Sequence, residues 1–189
     1  MIFNSDTIPP LVTIYFLSEF LVQRYKRKDD YAVSHDQSSL HLLIAVTLIS
    51  LVFARLIMFV LPQAKMDILL QLPTVGIGVF IAGLALRWYS IIHLGRFFTT
   101  EVAIAADHKL IDTGPFRFVR HPSYAGILLQ FLALGIRSGN ILALLVMMLP
   151  LTLALLYRIH IEEAALAEAL GSGYAEYRRN TKRIIPFLY

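Results

Sequence analysis

Long apolar runs separated by short polar segments dominate this 189-residue sequence. A helix of about 20 apolar residues is long enough to cross the hydrocarbon core of a bilayer. Most of the runs are close to that length, the fourth is shorter, and all of them carry few charged residues. They occur at five places: Ile8–Gln23, Leu40–Leu61, Ile68–His93, Tyr124–Ile136 and Ile141–Ile159. The pattern therefore predicts an all-α integral membrane protein with about five transmembrane helices.

The fourth and fifth runs are joined by only four residues, Arg137 to Asn140. A connection this short, with Gly139 in it, is typical of a tight turn between antiparallel helices. We therefore expect the last two helices to form a helical hairpin.

The composition supports a membrane class, because 57% of the residues are hydrophobic and 16% are charged, against about 45–50% and about 25% in soluble domains. The absence of cysteine excludes disulfides and a cysteine nucleophile. The six histidines lack the spacing of common zinc or di-iron motifs, so no metal is expected. The common nucleotide-binding and serine-hydrolase motifs are also missing.

The basic residues, which give the chain a net charge of +4, cluster after the first, third and fifth runs. This position is typical of residues that set membrane orientation and contact anionic lipid, so we expect membrane lipids rather than nucleic acid as partners. The positive-inside rule predicts an N-terminus outside and a cytoplasmic C-terminus. The expected location is the cytoplasmic membrane in a prokaryote or the endoplasmic reticulum in a eukaryote.

Two arginines, Arg55 and Arg87, stand inside apolar runs, and Glu19 stands near the end of the first run. A charge inside a membrane span is a functional candidate by default. Both arginines are within reach of a span end, however, so we expect their side chains to extend to the membrane interface.

The segment from His93 to Tyr124 mixes polar, basic, aromatic and glycine residues, unlike the rest of the chain. Loops of this length in compact proteins are usually functional or disordered, and the aromatic and β-branched content argues against disorder. Pro122 fits the first turn of the fourth helix. Arg120 and His121 then stand at the helix entrance, where free N–H groups favour an anionic ligand.

A second polar cluster follows the fifth run and contains Arg158, His160, Glu162 and Glu163. Arg158 and Glu162 are four residues apart and therefore share a helix face. A salt bridge on an exposed extension of the fifth helix is sufficient to explain this pair, so the cluster alone indicates no function.

Taken in order, the polar motifs resemble the isoprenylcysteine carboxyl methyltransferase family and its phospholipid methyltransferase relatives. The resemblance covers roughly the last half of the chain, and the N-terminal runs carry no signature of the family. It rests on His108-Lys109-Leu110, Gly114-Pro115-Phe116, Arg120 to Gly126, Arg158 with Glu162-Glu163, and the Tyr174-x-x-Tyr177 segment.

The resemblance implies a membrane methyltransferase that binds S-adenosylmethionine in a pocket at the cytoplasmic face. Arg158 and Glu162 are the implied catalytic residues. Those implied in cofactor binding are His108, Lys109, Leu110, Gly114, Phe116, Arg120, His121, Pro122, Tyr124, Glu162 and Glu163.

The methyl acceptor expected from the resemblance is the carboxylate of a prenylcysteine-type, lipid-like molecule. A carboxylate is already ionised at neutral pH and needs no general base, so Arg158 is the candidate to orient it. An amine acceptor would instead give Glu162 or Glu163 the role of base. On this hypothesis residues 1–93 form the lipid-substrate side of the protein and residues 94–189 form the catalytic half.

Four alternatives stay open at the level of sequence. A phospholipid amine or a small thiol could be the acceptor of the same chemistry. Two alternatives lie outside methyl transfer: the protein could be an NADPH-dependent, sterol-type membrane reductase, or it could be a non-catalytic membrane scaffold.

Overall fold

The computed structural model describes residues 8–25, 33–36, 38–65, 73–100, 102–104 and 109–186. Apart from short 3₁₀ turns and a two-stranded ribbon, which the sequence analysis did not predict, the elements are helical. The five α-helices are α1 Ile8–Tyr25, α2 Ser38–Val60, α3 Pro73–Leu94, α4 Pro122–Ser138 and α5 Ile141–Asn180.

Three helices in this part of the chain are long and apolar enough to cross a membrane, namely α2, α5 and the segment Thr74–Phe97 around α3. The arrangement of α2 is typical of a helix in lipid: it buries Ser39, Thr47 and Ser50 and exposes apolar side chains, with Phe59 78% exposed. Because lipid tails are as apolar as leucine, small and polar residues concentrate where helices meet. The described protein is therefore a helical membrane protein.

The hairpin predicted for the last two helices is confirmed. Gly139 ends α4 in the left-handed conformation, with φ of 59°, which glycine adopts without steric cost. Asn140 then caps α5, because its side chain accepts hydrogen bonds from the N–H groups of Leu142 and Ala143. Both ends of the turn thus use residues suited to their backbone positions.

Helices α3 and α4 cross at Gly83 and Gly126. A Cβ atom added at Gly83 would lie 2.7 Å from the carbonyl oxygen of Gly126. Only glycine therefore permits this backbone approach. The close crossing fixes the start of α4, which carries part of the site, against the end of α3.

Helix α5 is longer than its apolar run and continues to Asn180 through a segment rich in Ala, Leu and Glu, residues that favour helix. It contains one non-helical residue, Gly171, with φ of 57° and ψ of −130°. This conformation is essentially restricted to glycine. It redirects the chain so that Tyr174 and Tyr177 are buried.

The ribbon pairs β1, Val33–Asp36, with β2, Val102–Ile104, in antiparallel register. It joins the segment before α2 to the loop after α3. The ends of α1 and α3 and the starts of α2 and α4 therefore lie at the same end of the bundle. Most of the lysines and arginines in the described ranges also lie at this end.

The expectation that Arg87 extends to the membrane interface is wrong. Arg87 is 6% exposed, and its Nε and Nη2 each lie 2.5 Å from a carboxylate oxygen of Glu19 on α1. Its Nη1 donates to the Ser123 hydroxyl at 2.8 Å. A paired carboxylate inside the protein satisfies a buried guanidinium better than the distant interface does. The ion pair thus ties α1 to α3, and the hydrogen bond to Ser123 ties α3 to the start of α4.

Candidate functional site

A cleft at the basic end of the bundle lies between the end of α3, the start of α4 and the polar part of α5. It encloses about 900 Å³ of empty space, its open mouth included. Its walls combine aromatic, aliphatic and charged side chains: Ser90, Leu94, Phe97, Phe98, Thr99, Leu110, Ile111, Phe116, Arg120, His121, Pro122, Ser123, Tyr124, Arg158, Glu162, Leu166, Leu170, Tyr174 and Tyr177.

The sequence-predicted residues divide into two groups in this structure. Eight line the cleft: Leu110, Phe116, Arg120, His121, Pro122, Tyr124, Arg158 and Glu162. Lys109, Gly114 and Glu163 are not among the lining residues, and His108 lies outside the described residues. Lys109 is exposed on the surface of the loop.

The two adjacent glutamates have different surroundings. The Glu162 side chain is 31% exposed towards the cleft, whereas that of Glu163 is 4% exposed. Glu163 accepts hydrogen bonds from Arg120 at 2.7 Å, from Arg183 at 3.2 Å and, at 3.4 Å, from His121. Glu163 therefore stabilises the wall of the cleft from behind.

The electrostatics of Glu163 follow from these contacts. Burial alone raises the pKa of a carboxyl group, because it penalises the charged form. The hydrogen bonds from His121 and Arg120, with the positive charge of Arg120, outweigh burial and lower the pKa of Glu163 to about 2. Glu163 is therefore ionised throughout the physiological pH range.

The Tyr124 hydroxyl connects the catalytic candidates. It donates to Glu162 Oε2 at 2.7 Å and accepts from Arg158 Nε at 2.9 Å. Arg158 is 3% exposed, which overturns the simple explanation of the Arg158–Glu162 spacing as a surface salt bridge. The three side chains form one hydrogen-bonded row along the cleft.

Arg158 is held by three different parts of the fold. Besides Tyr124 on α4, its Nη1 donates to the Ser39 hydroxyl on α2 at 3.0 Å. Its Nη2 donates to the Thr100 carbonyl after α3 at 2.5 Å. Because these contacts fix its plane, the guanidinium is oriented in advance of any ligand.

Arg120 is anchored to the C-terminal segment as well as to Glu163. Its Nη1 donates to the carbonyls of Arg178 and Thr181. The N–H groups of Tyr124 and Ala125 both donate to the His121 carbonyl. The start of α4 therefore offers an anion fewer free donors than the sequence pattern suggested.

The C-terminal segment closes one side of the cleft, a role that the sequence did not reveal. The N–H of Arg120 donates to the Lys182 carbonyl at 2.7 Å, and that of His121 donates to the Arg183 carbonyl at 2.9 Å. The Tyr177 hydroxyl donates to the Phe116 carbonyl at 2.7 Å. In the sequence, the Tyr174-x-x-Tyr177 motif of the family resemblance was the feature that could have indicated that these two residues form part of the wall.

Gly114 supports the loop instead of facing the cleft. Its φ is 59°, and a Cβ atom added there would lie 2.7 Å from the ring of His93. His93 and Thr113 are hydrogen-bonded at 2.9 Å, and the His93 ring stacks on Phe116. Gly114 thus lets the loop pack closely on α3 and positions Phe116 in the wall.

One buried polar atom of the wall lacks a partner within the described part of the chain. The Tyr174 hydroxyl has no hydrogen-bond partner among the described residues, although Tyr174 is 1% exposed. Burial raises the pKa of this hydroxyl, and the nearby Glu163 and Glu162 carboxylates raise it further, so the group stays protonated. Buried polar groups are normally satisfied, which makes this hydroxyl a candidate donor to a ligand.

A second groove runs between α1 and α2 and is largely apolar. It is lined by Tyr15, Phe16, Glu19, Phe20, Gln23, Leu40, Leu43, Ile44, Thr47, Arg87, Phe98, Thr99, Thr100, Tyr124, Ile127 and Arg158. Four of these residues, Phe98, Thr99, Tyr124 and Arg158, also line the cleft. The apolar groove and the polar cleft therefore meet at Arg158 and Tyr124.

Comparison with known proteins identifies relatives of this arrangement. Residues 75–168 match the model of the isoprenylcysteine carboxyl methyltransferase family. The protein-S-isoprenylcysteine O-methyltransferase of Schizosaccharomyces pombe is 32% identical over 117 residues, which are 61% of this chain and 50% of that protein. A probable protein-S-isoprenylcysteine O-methyltransferase of Oryza sativa subsp. indica is 32% identical over 116 residues, 60% of this chain and 61% of the relative. The chain thus spans between half and about three fifths of the length of these relatives.

The fold also has a solved counterpart. The structure of a eukaryotic intramembrane Ras methyltransferase, isoprenylcysteine carboxyl methyltransferase, matches with a TM-score of 0.68 at 24% identity. The match covers 94% of this chain and 64% of the other. The shared fold therefore includes the N-terminal helices, in which the sequence carried no recognisable motif.

Proposed function

We propose that the protein is an S-adenosylmethionine-dependent membrane methyltransferase, because residues 75–168 match the model of the isoprenylcysteine carboxyl methyltransferase family. The proposed methyl acceptor is the carboxylate of a prenylcysteine-type molecule. The observation that carries the proposal is the meeting of a polar cleft and an apolar groove at Arg158 and Tyr124. A soluble methyl donor and a lipid-bearing acceptor need two such approaches to one point.

The apolar groove suits the lipid part of the acceptor. Phe16, Phe20, Leu43 and Ile44 line it between α1 and α2, so a prenyl chain would be in contact with apolar side chains along its length. A chain lying in this groove would bring its polar end towards Arg158.

The cleft suits the cofactor. The unpartnered Tyr174 hydroxyl and the exposed Glu162 carboxylate face the same space and offer a donor and an acceptor, which match the hydroxyl, ammonium and adenine groups of S-adenosylmethionine. Phe97, Phe116 and Leu166 supply apolar walls. When bound, S-adenosylmethionine would supply a methyl group activated by its positively charged sulfur: the acceptor oxygen would bond to the methyl carbon, and the neutral thioether S-adenosylhomocysteine would leave.

The residues of the chain then have three tasks: binding, orientation and exclusion of water. The acceptor carboxylate is ionised at neutral pH, so no residue has to remove a proton. Arg158 would orient that carboxylate, since its guanidinium is fixed by Ser39, Thr100 and Tyr124 and can pair with an anion. Tyr124 would fix the positions of Arg158 and Glu162 relative to each other, because its hydroxyl is hydrogen-bonded to both. The C-terminal segment would limit the access of water to the cleft.

The finer topology is part of the proposal. We propose that α1 and α4 also lie in the bilayer, giving five membrane helices, with the N-terminus outside and the cleft at the cytoplasmic face. The concentration of basic residues at the cleft end supports this orientation. The N-terminal residues 1–93 would provide the lipid side and residues 94–189 the catalytic half.

Calorimetric titration of the detergent-purified protein with S-adenosylhomocysteine tests the proposal. We expect saturable binding, and we expect Glu162→Ala to weaken it by about tenfold, because a charged hydrogen-bond partner is lost. The matched control is Glu168→Ala, since Glu168 is exposed on the same helix and is not a lining residue.

The outcomes of this titration separate the competing functions. Binding of NADPH without S-adenosylhomocysteine would move the protein to the reductases, and binding of neither would favour a scaffold. Equal loss of affinity in Glu162→Ala and Glu168→Ala would contradict the place given to Glu162.

Tyr174→Phe tests the fit of the cofactor to the cleft. This change removes one oxygen that has no protein partner among the described residues, so stability should stay within about 0.5 kcal/mol. The affinity for S-adenosylhomocysteine should fall by about fivefold or more, as expected for the loss of one hydrogen bond. Tyr157→Phe, on the exposed apolar face of α5, is the control. Unchanged affinity in Tyr174→Phe would remove Tyr174 from the binding site.

A further inference from the structure

A third cavity lies at the end of the bundle opposite the cleft, where α1, α2, α4 and α5 meet. It encloses about 930 Å³ of empty space, its open mouth included. Almost all of its wall is apolar, and the catalytic hypothesis gives it no role. The lining residues are Ile8, Pro9, Val12, Leu51, Ala54, Arg55, Met58, Leu134, Ser138 and Met147.

Arg55 is the charged residue of this wall. Its side chain is exposed on the outer surface of α2, and it makes no hydrogen bond or ion pair with another described residue. The stretches of the four helices that form the wall contain no Asp or Glu within the described ranges. Arg55 therefore places a positive charge at the mouth of the cavity.

The depth of Arg55 fits a lipid headgroup. Arg55 stands five residues before the end of α2 at Val60, which is about 7.5 Å along a helix. An arginine side chain can extend over such a distance to the interface. An acyl chain in the cavity would then run along Leu51 and Met58 towards the middle of the bundle.

From the apolar cavity and its one cationic edge we propose a binding site for an anionic membrane phospholipid. One acyl chain would occupy the cavity, and the phosphate would pair with Arg55. A phosphate accepts two parallel N–H bonds from a guanidinium. A phospholipid combines this anionic group with an apolar chain and is present at high local concentration in the bilayer. The site is separate from the proposed reaction and does not depend on it.

The arrangement gives the lipid a structural role. In the described residues α1 packs mainly on α4, and the cavity separates the start of α1 from Leu51, Ala54 and Met58 on α2. A bound acyl chain would fill this gap and hold α1 against α2. Loss of the lipid should therefore loosen α1 first.

Native mass spectrometry of the detergent-purified full chain tests the site. The probes are phosphatidylglycerol, phosphatidylcholine and inorganic phosphate. We expect a 1:1 adduct that favours phosphatidylglycerol, about tenfold weaker adduct formation in Arg55→Gln, and no change in Arg179→Gln, which alters an exposed arginine at the other end. Ala54→Leu should also weaken the adduct, because Ala54 is 3% exposed in the cavity wall and the larger side chain would occupy the space of the acyl chain.

Several outcomes would overturn the proposal. Equal binding of the two lipids, or unchanged binding in Arg55→Gln, would show that the charge is not used. Equal retention of inorganic phosphate and phosphatidylglycerol would show that the cavity is not used. A dimer that is lost in Ala54→Leu would assign the cavity to a second copy of the chain. Because the readout is lipid retention, failure here would leave S-adenosylhomocysteine binding at the cleft unaffected.

Discussion

Arg158→Ala should lower the rate of methyl transfer at saturating cofactor by about a hundredfold or more, while affinity for S-adenosylhomocysteine stays within about threefold. The expected loss is that of a group which orients the acceptor and does not hold the cofactor. The measurement is transfer of labelled methyl from S-adenosylmethionine to an N-acetylated S-prenylcysteine in detergent or vesicles.

Two further variants make this prediction specific. Arg158→Lys keeps the charge but cannot reach Ser39, Thr100 and Tyr124 together, so its rate should also be low. Ser39→Ala removes one anchor and should cause a smaller loss. An Arg158→Ala protein with the wild-type rate, or one that methylates a phospholipid amine in place of the carboxylate, would contradict the assigned role.

Glu163→Gln should lower the thermal unfolding midpoint by several degrees, corresponding to about 3 kcal/mol. The substitution leaves Arg120, Arg183 and His121 around a neutral amide. The effect should depend on pH, because the pKa of Glu163 is lowered from its ordinary value of 4.5 to about 2. A lowered carboxyl pKa contributes stability that is complete above about pH 4.5 and is lost as the pH falls towards 2.

The measurement is therefore a set of melting curves of wild type and Glu163→Gln between pH 7 and pH 3. The gap between the two proteins should be constant down to about pH 4.5 and should narrow below it. Glu168→Gln, at an exposed position of the same helix, should follow the wild type throughout. A gap that stays constant over the whole range would mean that the ionised carboxylate is not what stabilises the wall.

Much of the helical framework was predictable because membrane helices are specified locally. An apolar run bounded by polar residues marks a helix directly, so the predicted runs and the observed helices α1, α2 and α4 differ by at most two residues at each end. The turn at Gly139 follows from the conformational freedom of one residue. The family resemblance, which rested on motifs in fixed order, is confirmed over residues 75–168.

The unpredicted features depend on contacts between distant parts of the chain. Nothing local to Arg87 indicates that Glu19, 68 residues earlier, neutralises it. Glu162 and Glu163 are chemically equal, but adjacent positions on a helix point about 100° apart, so only the packing of α5 decides which one faces the cleft. The two predicted as cofactor ligands therefore have different roles in the structure, and their assignment as binding residues stays a prediction.

The pairing of Glu19 with Arg87 also constrains how the protein is made. Translation completes α1 well before α3, so for a time Glu19 has no partner. If α1 lies in the bilayer, as proposed, an unpaired acid costs up to about 2.5–3.5 kcal/mol on insertion scales, the value for the centre of a span. The nascent α1 therefore avoids this free-energy cost if it stays near the interface until Arg87 emerges. Helix α1 is therefore synthesised first but can dock only after α3 has been made. A chain interrupted before α3 would lack Arg87, so Glu19 would stay unpaired.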